Sequence, residues 1–171
     1  GPTIGQELRT KSLQAIVVVL ILIVAYIAWA FRKVSQPVAS WKYGVIAIVA
    51  LVHDVTIPAG VFSFLGKFYG TEVDALFITA LLTVLGFSVH DTIVVFDRIR
   101  ENLKRRPSED FSKTIDASIN ETITRSINTS FTVILVLLAI FFLGGESTKF
   151  FALTLILGVF FGTYSSIFVA G

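Results

Sequence analysis

Five apolar runs set the pattern of the chain. The first, "SLQAIVVVLILIVAYIAWAF", lies between Lys11 and Arg32; others run from about Trp41, from Val73, from Ser126 and from Phe150. Each is near the ~20 residues with which a helix rising 1.5 Å per residue crosses about 30 Å of hydrocarbon. The predicted fold class is therefore all-α: a polytopic transmembrane helix bundle of five spans, at about 12–31, 41–65, 73–97, 126–143 and 150–171. The segment between the third and fourth spans has a different rhythm. Pro107 precedes Ser108, a good N-cap, and Glu109 and Asp110 follow in the first turn. Phe111, Ile115, Ile119, Ile123 and Ile127 then recur every fourth position between polar residues. That spacing predicts an amphipathic helix at about 108–122. Two readings of it are open: a helix outside the bilayer packed on its neighbours, or one lying in the interface and turning into span four. Both leave Arg125 near the mouth of that span, beside Asn128 and Thr129.

Composition agrees with the pattern. Of 171 residues, 54% are hydrophobic and only 15% charged, against about a quarter charged in soluble domains. There is no cysteine, which excludes disulfides, thiolate metal sites and a cysteine nucleophile. No positively charged start with a short apolar run and an A-x-A site marks a cleavable signal peptide. The net charge of +2 is small; its distribution is more informative. Arg32, Lys33 and Lys42 follow span one. Arg98, Arg100, Lys104, Arg105, Arg106, Lys113 and Arg125 lie between spans three and four. On the other side stand only Arg9, Lys11, Lys67 and Lys149. The positive-inside rule puts the ten cations in the cytoplasm, the N-terminus outside and the C-terminus inside. Trp29, Trp41 and Tyr43 then fall at the inner interface, where amphipathic rings belong.

The candidate chemistry is the charge inside the spans. In "VLGFSVHDTIVVFDRIRENLKRR", Asp91 sits seven residues before Arg98, about 10 Å inside the cytoplasmic edge. An aspartate at such depth costs ~2.5–3.5 kcal/mol on insertion scales and normally faces a bundle interior. Helical spacing puts Asp91, Arg98 and Asn102 on one face, and His90, Asp97 and Glu101 on the adjacent one. Together they form a polar seam descending to the cytoplasm. Span two repeats the theme with His53 and Asp54, ahead of a kink expected at Pro58. A metal site is disfavoured, because adjacent residues point to different sides of a helix and no HExxH-type spacing occurs. An intramembrane aspartyl protease would need two carboxylates sharing a proton, but "GFSVHD" lacks a GxGD pattern. Two readings remain open on the residues alone. In one, Asp and Arg pair to lock helices together. In the other, a carboxyl group beside a cation switches charge state, since burial penalises the charged form and a cation favours it.

"GFSVHDTIVVFDRIRENLKRR", followed by "INETITRSINTSFTVILVLLAIFFLGG", closely resembles the SecF family of bacterial protein-export membrane proteins, in the resistance-nodulation-division superfamily. "YGVIAIVALVHDVTIPAGVFSFLG" and the opening "GPTIGQELR" extend the resemblance over the whole chain. It implies a six-span protein of which these are spans two to six, with the first span, the periplasmic domain and the cytoplasmic tail absent. It implies a subunit that pairs with SecD beside the SecYEG translocon, with YajC as a further partner, in the bacterial inner membrane. The pair would use the proton-motive force to draw preprotein outward, the preprotein being handled by the missing periplasmic domain. By the same resemblance Asp91 and Arg125 are the proton-transfer residues, with His90, Asp97, Arg98 and Asp54 as the supporting seam. Membrane lipids and protons complete the expected partners; no enzyme activity, metal, cofactor or nucleic acid is expected. A related exporter of lipids or small molecules, and a non-transport membrane scaffold, are the alternatives.

Overall fold

The computed structural model describes residues 2–30, 40–70 and 74–171. It contains five helices: α1 (Pro2–Ala30), α2 (Ser40–Tyr69), α3 (Ala75–Arg105), α4 (Phe111–Leu143) and α5 (Glu146–Phe168). All five hold a stretch long and apolar enough to cross a membrane, and no strand occurs among the described residues. The all-α bundle of five spans is thus what folds. The helices overrun their predicted spans at several ends. α1 starts at Pro2, because proline in a first turn loses no helix hydrogen bond, and α3 runs on to Arg105. The expected boundaries at residues 31 and 73, and the cations Arg32 and Lys33, lie outside the described residues. α2 ends on Gly70, whose φ of 67° is the left-handed conformation that glycine adopts without steric cost.

The segment before span four requires a correction. There is no separate amphipathic helix at 108–122: α4 is one unbroken helix of 33 residues, and Pro107 and Ser108 lie in the turn before it. Between Phe111 and Leu143 there is no glycine or proline to interrupt it. Nor is the isoleucine row the face that packs. The buried positions up to Ser130 are Thr114, Ser118, Thr122, Ser126 and Ser130, again every fourth residue, and Leu137 is buried further on. Ile115 and Ile119 flank that face half-buried, against a cluster containing Ile99 and Ala170, while Ile127 is exposed. Short side chains let the α4 backbone approach α3 and α5 closely, as is usual between helices in lipid.

α3 is the central helix and touches each of the other four, while α5 fills the angle between α2, α3 and α4. α1 packs only on α2 and α3, and leaves Val18, Ile21 and Leu22 exposed. Trp29 and Trp41 stay on the surface, as interface rings should. Tyr43 does not: it is 5% exposed and meets Phe96 edge-on, with ring centroids 5.2 Å apart, in a cluster with Ile27, Val95 and Ile99. The predicted interface position for Tyr43 is therefore corrected to a core position.

The contact between α3 and α5 depends on Gly158. A β-carbon on Gly158 would collide with both methyls of Val84. Gly158→Ala is accordingly expected to lower stability by about 1–3 kcal/mol, the range for overpacking a tight contact. Thermal unfolding of the full-length protein in detergent should show it, and Val84→Ala in the same chain should restore most of the loss. An unchanged midpoint in the single variant would contradict the close packing.

Candidate functional site

The two intramembrane carboxyl groups both face inward. Asp54 on α2 is 0% exposed and Asp91 on α3 is 7% exposed. Asp54 Oδ2 accepts hydrogen bonds from Ser88 Oγ of α3 and from Ser165 Oγ of α5, the latter at 2.6 Å. Its Oδ1 lies 2.9 Å from Nδ1 of His53, whose ring stacks on Tyr164 and meets Phe161 edge-on. Asp91 Oδ1 accepts from Ser126 Oγ of α4 at 2.7 Å, and Oδ2 from Ser166 Oγ of α5 at 2.5 Å. Neighbouring residues on a helix project about 100° apart. The tandem Ser165–Ser166 thereby serves two carboxyls on two different helices. Gly162 lies beside this niche: a β-carbon there would stand 3.4 Å from Ser88 Cβ and 3.7 Å from Asp54 Oδ2, an ordinary van der Waals fit. Pro58, one turn after Asp54, lacks the N–H that would bond the Asp54 carbonyl.

Towards the end of the bundle that carries the α3–α4 turn, a polar cluster continues from Asp91. Arg98 donates from Nε to Glu121 at 2.5 Å and from Nη1 to Glu101 at 2.6 Å. Asn102, buried, donates from Nδ2 to Ser118 Oγ and to Glu121, both at 3.0 Å. Arg105 caps the group through Glu101 at 2.7 Å. Beside the cluster opens a crevice of about 280 Å³, lined by Val94, Asp97, Arg98, Glu101, Glu121, Thr122 and Arg125. Arg125 is exposed on its wall and makes no hydrogen bond or ion pair among the described residues. It directly precedes Ser126, the residue that holds Asp91.

These positions revise the predicted seam. Asp91, Arg98 and Asn102 do share a face turned to α4, as the spacing requires. His90 and Asp97 point outward and are exposed, Asp97 lying 3.6 Å from Arg100 of its own helix. The adjacent face is open at His90, while Asp97 and Glu101 line the crevice beside Arg98. The interhelical ion pair joins Arg98 to Glu121, and Asp91 has hydroxyls for partners in place of a cation. Ser88, Ser126, Ser165 and Ser166 were not anticipated. The signals for them were the four-residue spacing of short hydroxyl residues in α4 and the paired serines inside an otherwise apolar last span.

Chemically, each carboxyl is held by neutral hydroxyls. A serine hydroxyl can donate to a carboxylate or accept from a carboxylic acid, so the niche tolerates both charge states. No group of three His, Asp or Glu side chains suited to a metal ion occurs among the described residues.

Fold and site together define a polytopic integral membrane protein with two carboxyl groups buried between its helices. The chain belongs to the family described as protein export membrane protein SecD/SecF, C-terminal, which matches residues 1–171. Among similar proteins, the protein translocase subunit SecF of Thermobaculum terrenum is 55% identical over 99% of this chain and 53% of its own length. That of Synechocystis sp. is 47% identical over 99% of this chain and 51% of its own. The protein translocase subunit SecDF of Thermus thermophilus is 44% identical, with 99% of this chain matching 21% of that one. A crystal structure of SecDF in a super-membrane-facing form superposes with a TM-score of 0.83 at 43% identity, over 96% of this chain and 21% of that one. The chain thus spans about half the length of the SecF relatives it matches.

The packing at Asp54 yields a graded expectation. Asp54→Asn retains a carbonyl oxygen for Ser88 and Ser165 and should leave stability within about 1 kcal/mol. Asp54→Ala leaves the buried Ser88 hydroxyl without its acceptor and should cost about 1–3 kcal/mol. Thermal unfolding of the full-length protein separates the two, and equal losses would contradict the hydroxyl niche.

Proposed function

We propose that this chain is the membrane part of a SecF-type subunit that couples proton flow through the bacterial inner membrane to preprotein export. The observation that carries the reading is Asp91: a carboxyl buried between three helices, held among the described residues by hydroxyls alone, one of which, Ser126, directly follows the exposed Arg125 on α4. SecD is the proposed partner, supported by the SecDF relative in which the names are joined in a single chain. SecYEG, YajC and an exported polypeptide are partners of the whole protein. The end of the bundle with the α3–α4 turn faces the cytoplasm, as its cations favour, and the C-terminus lies on that side.

In this mechanism Asp91 carries the proton and Arg125 makes its charge state depend on conformation. When α4 brings the guanidinium to the carboxyl, the carboxylate is favoured and a proton leaves; when they part, burial favours the acid and a proton returns. One charge moved through the membrane potential yields ~2.3 kcal/mol per 100 mV. Since each ~1.4 kcal/mol is tenfold in an equilibrium, that shifts a two-state bundle by well over tenfold.

Translocation by inverted vesicles holding the full-length protein, with and without a proton gradient, tests the reading. Asp91→Asn should assemble with SecD yet lose the gradient-dependent part of export. Arg125→Lys keeps the charge without the planar fork of donors and should be partly to severely defective. Asp54→Asn should impair export less than Asp91→Asn. Gradient-dependent export retained by Asp91→Asn would make Asp91 a structural residue. For orientation, a cysteine placed at Arg105 should react only from the cytoplasmic side, and labelling from the periplasm would overturn the topology.

A further inference from the structure

The four hydroxyls around the two carboxyls are not equivalent. Ser88 and Ser126 have a carboxyl oxygen as their only hydrogen-bond partner among the described residues. Ser165 and Ser166 each have a second acceptor on their own helix. Ser165 Oγ lies 3.1 Å from the Gly162 carbonyl, and Ser166 Oγ 2.9 Å from the Thr163 carbonyl. A hydroxyl has one proton to give, so these two serines can point it at the carboxyl or back along α5. Each carboxyl therefore has one hydroxyl with no second acceptor in its present rotamer and one that can turn, and Asp54 has His53 besides.

We propose that Ser166 is a positioning residue for proton handling at Asp91, that Ser165 plays the same part at Asp54, and that α5 is thereby clamped to α2 and α3 according to their charge. With Asp91 as carboxylate, Ser166 donates to Oδ2 and α5 is tied to α3. When Asp91 takes up a proton, the new O–H donates to Ser166 Oγ, and the serine proton turns to the Thr163 carbonyl. Neither the Asp91 carboxyl nor the Ser166 hydroxyl is left unpartnered in either state, and no proton passes along the helix. Ser126, in the rotamer it adopts, has no second acceptor for its proton and would have to turn its side chain to make the same exchange. The charge-assisted bond of the carboxylate state is the stronger of the two, so the clamp loosens when the acid forms. This proposal rests on Asp91 as the proton carrier.

The other ionisable side chains on the surrounding helices include Tyr26 on α1, Tyr43 and His53 on α2, His90, Asp97, Arg98, Arg100 and Glu101 on α3, Asp116, Glu121 and Arg125 on α4, and Tyr164 on α5. Of these, only His53 is hydrogen-bonded to either carboxyl, and it serves Asp54.

The test is the pH profile of gradient-driven export by the full-length protein assembled with SecD. Removing the Ser166 hydroxyl takes a charge-assisted bond from the carboxylate and only a weaker neutral one from the acid. Ser166→Ala should therefore favour the protonated form and move the profile to higher pH, while accumulation and assembly with SecD stay normal. Ser166→Thr restores a hydroxyl and should move the profile back. A loss of activity equal at all pH values, or an Ala profile that coincides with wild type, would overturn the proposal. If Ser166→Ala fails to assemble, the Thr variant decides: its profile must match wild type, and a displaced one overturns the proposal. Asp91→Asn run in parallel distinguishes the two failures. If it keeps gradient-driven export, the relay itself is wrong; if it loses it while Ser166→Ala is unshifted, only the serine's role is.

Discussion

A carboxyl group in the middle of a bilayer has no water to solvate it, so the protein must supply every hydrogen bond it receives. Asp54 and Asp91 impose that demand at two points of one bundle, and much of the packing answers it. The donors must be short enough to fit between helices in contact, which selects serine. They must come from helices on either side, which brings α5 into the angle between α2, α3 and α4. The close approach that this requires is permitted by Gly158, where no side chain stands between α5 and Val84.

The same demand explains an irregularity in α4. Ser118, Thr122 and Ser130 turn their hydroxyls back to the carbonyls of Thr114, Ser118 and Ser126, the local bond such residues make in helices. Ser126, in the same row, crosses to Asp91 instead. Ser130 in turn meets Thr163 of α5, two residues from the tandem serines. A movement of α4 that carries Arg125 towards Asp91 would thus act on the carboxyl, on Ser126 and on α5 together. In the proposed mechanism these contacts would couple charge to helix position.

How much of this was legible in the residues follows from the physics of each signal. Five spans were legible because hydrophobic length is dictated by bilayer thickness and needs no tertiary information. Asp91 and Asp54 were legible because a buried charge is costly and therefore conspicuous. The inward face of Asp91, Arg98 and Asn102 followed from helical spacing. What could not be read was which neighbour each face meets. The isoleucines of α4 looked like the buried stripe because apolar residues mark packing in water. In lipid that rule weakens, and the small hydroxyl residues beside them form the contact. Tyr43 was misplaced for a related reason, since an aromatic ring near a span end can face lipid or protein equally well. The serines of α5 carry no charge and no period of their own, and their role emerges only when two carboxyls from other helices are set against them.

The central claim is that Asp91 changes its protonation in the working protein. Infrared difference spectroscopy on the full-length complex in proteoliposomes, comparing high and low pH, reads this directly through the carboxylic acid C=O stretch. The account predicts an acid band that appears on acidification, is absent in Asp91→Asn, and persists in Asp97→Asn, whose side chain is exposed. Identical difference spectra for wild type and Asp91→Asn would contradict it, and would leave Asp91 as a structural anchor of the bundle.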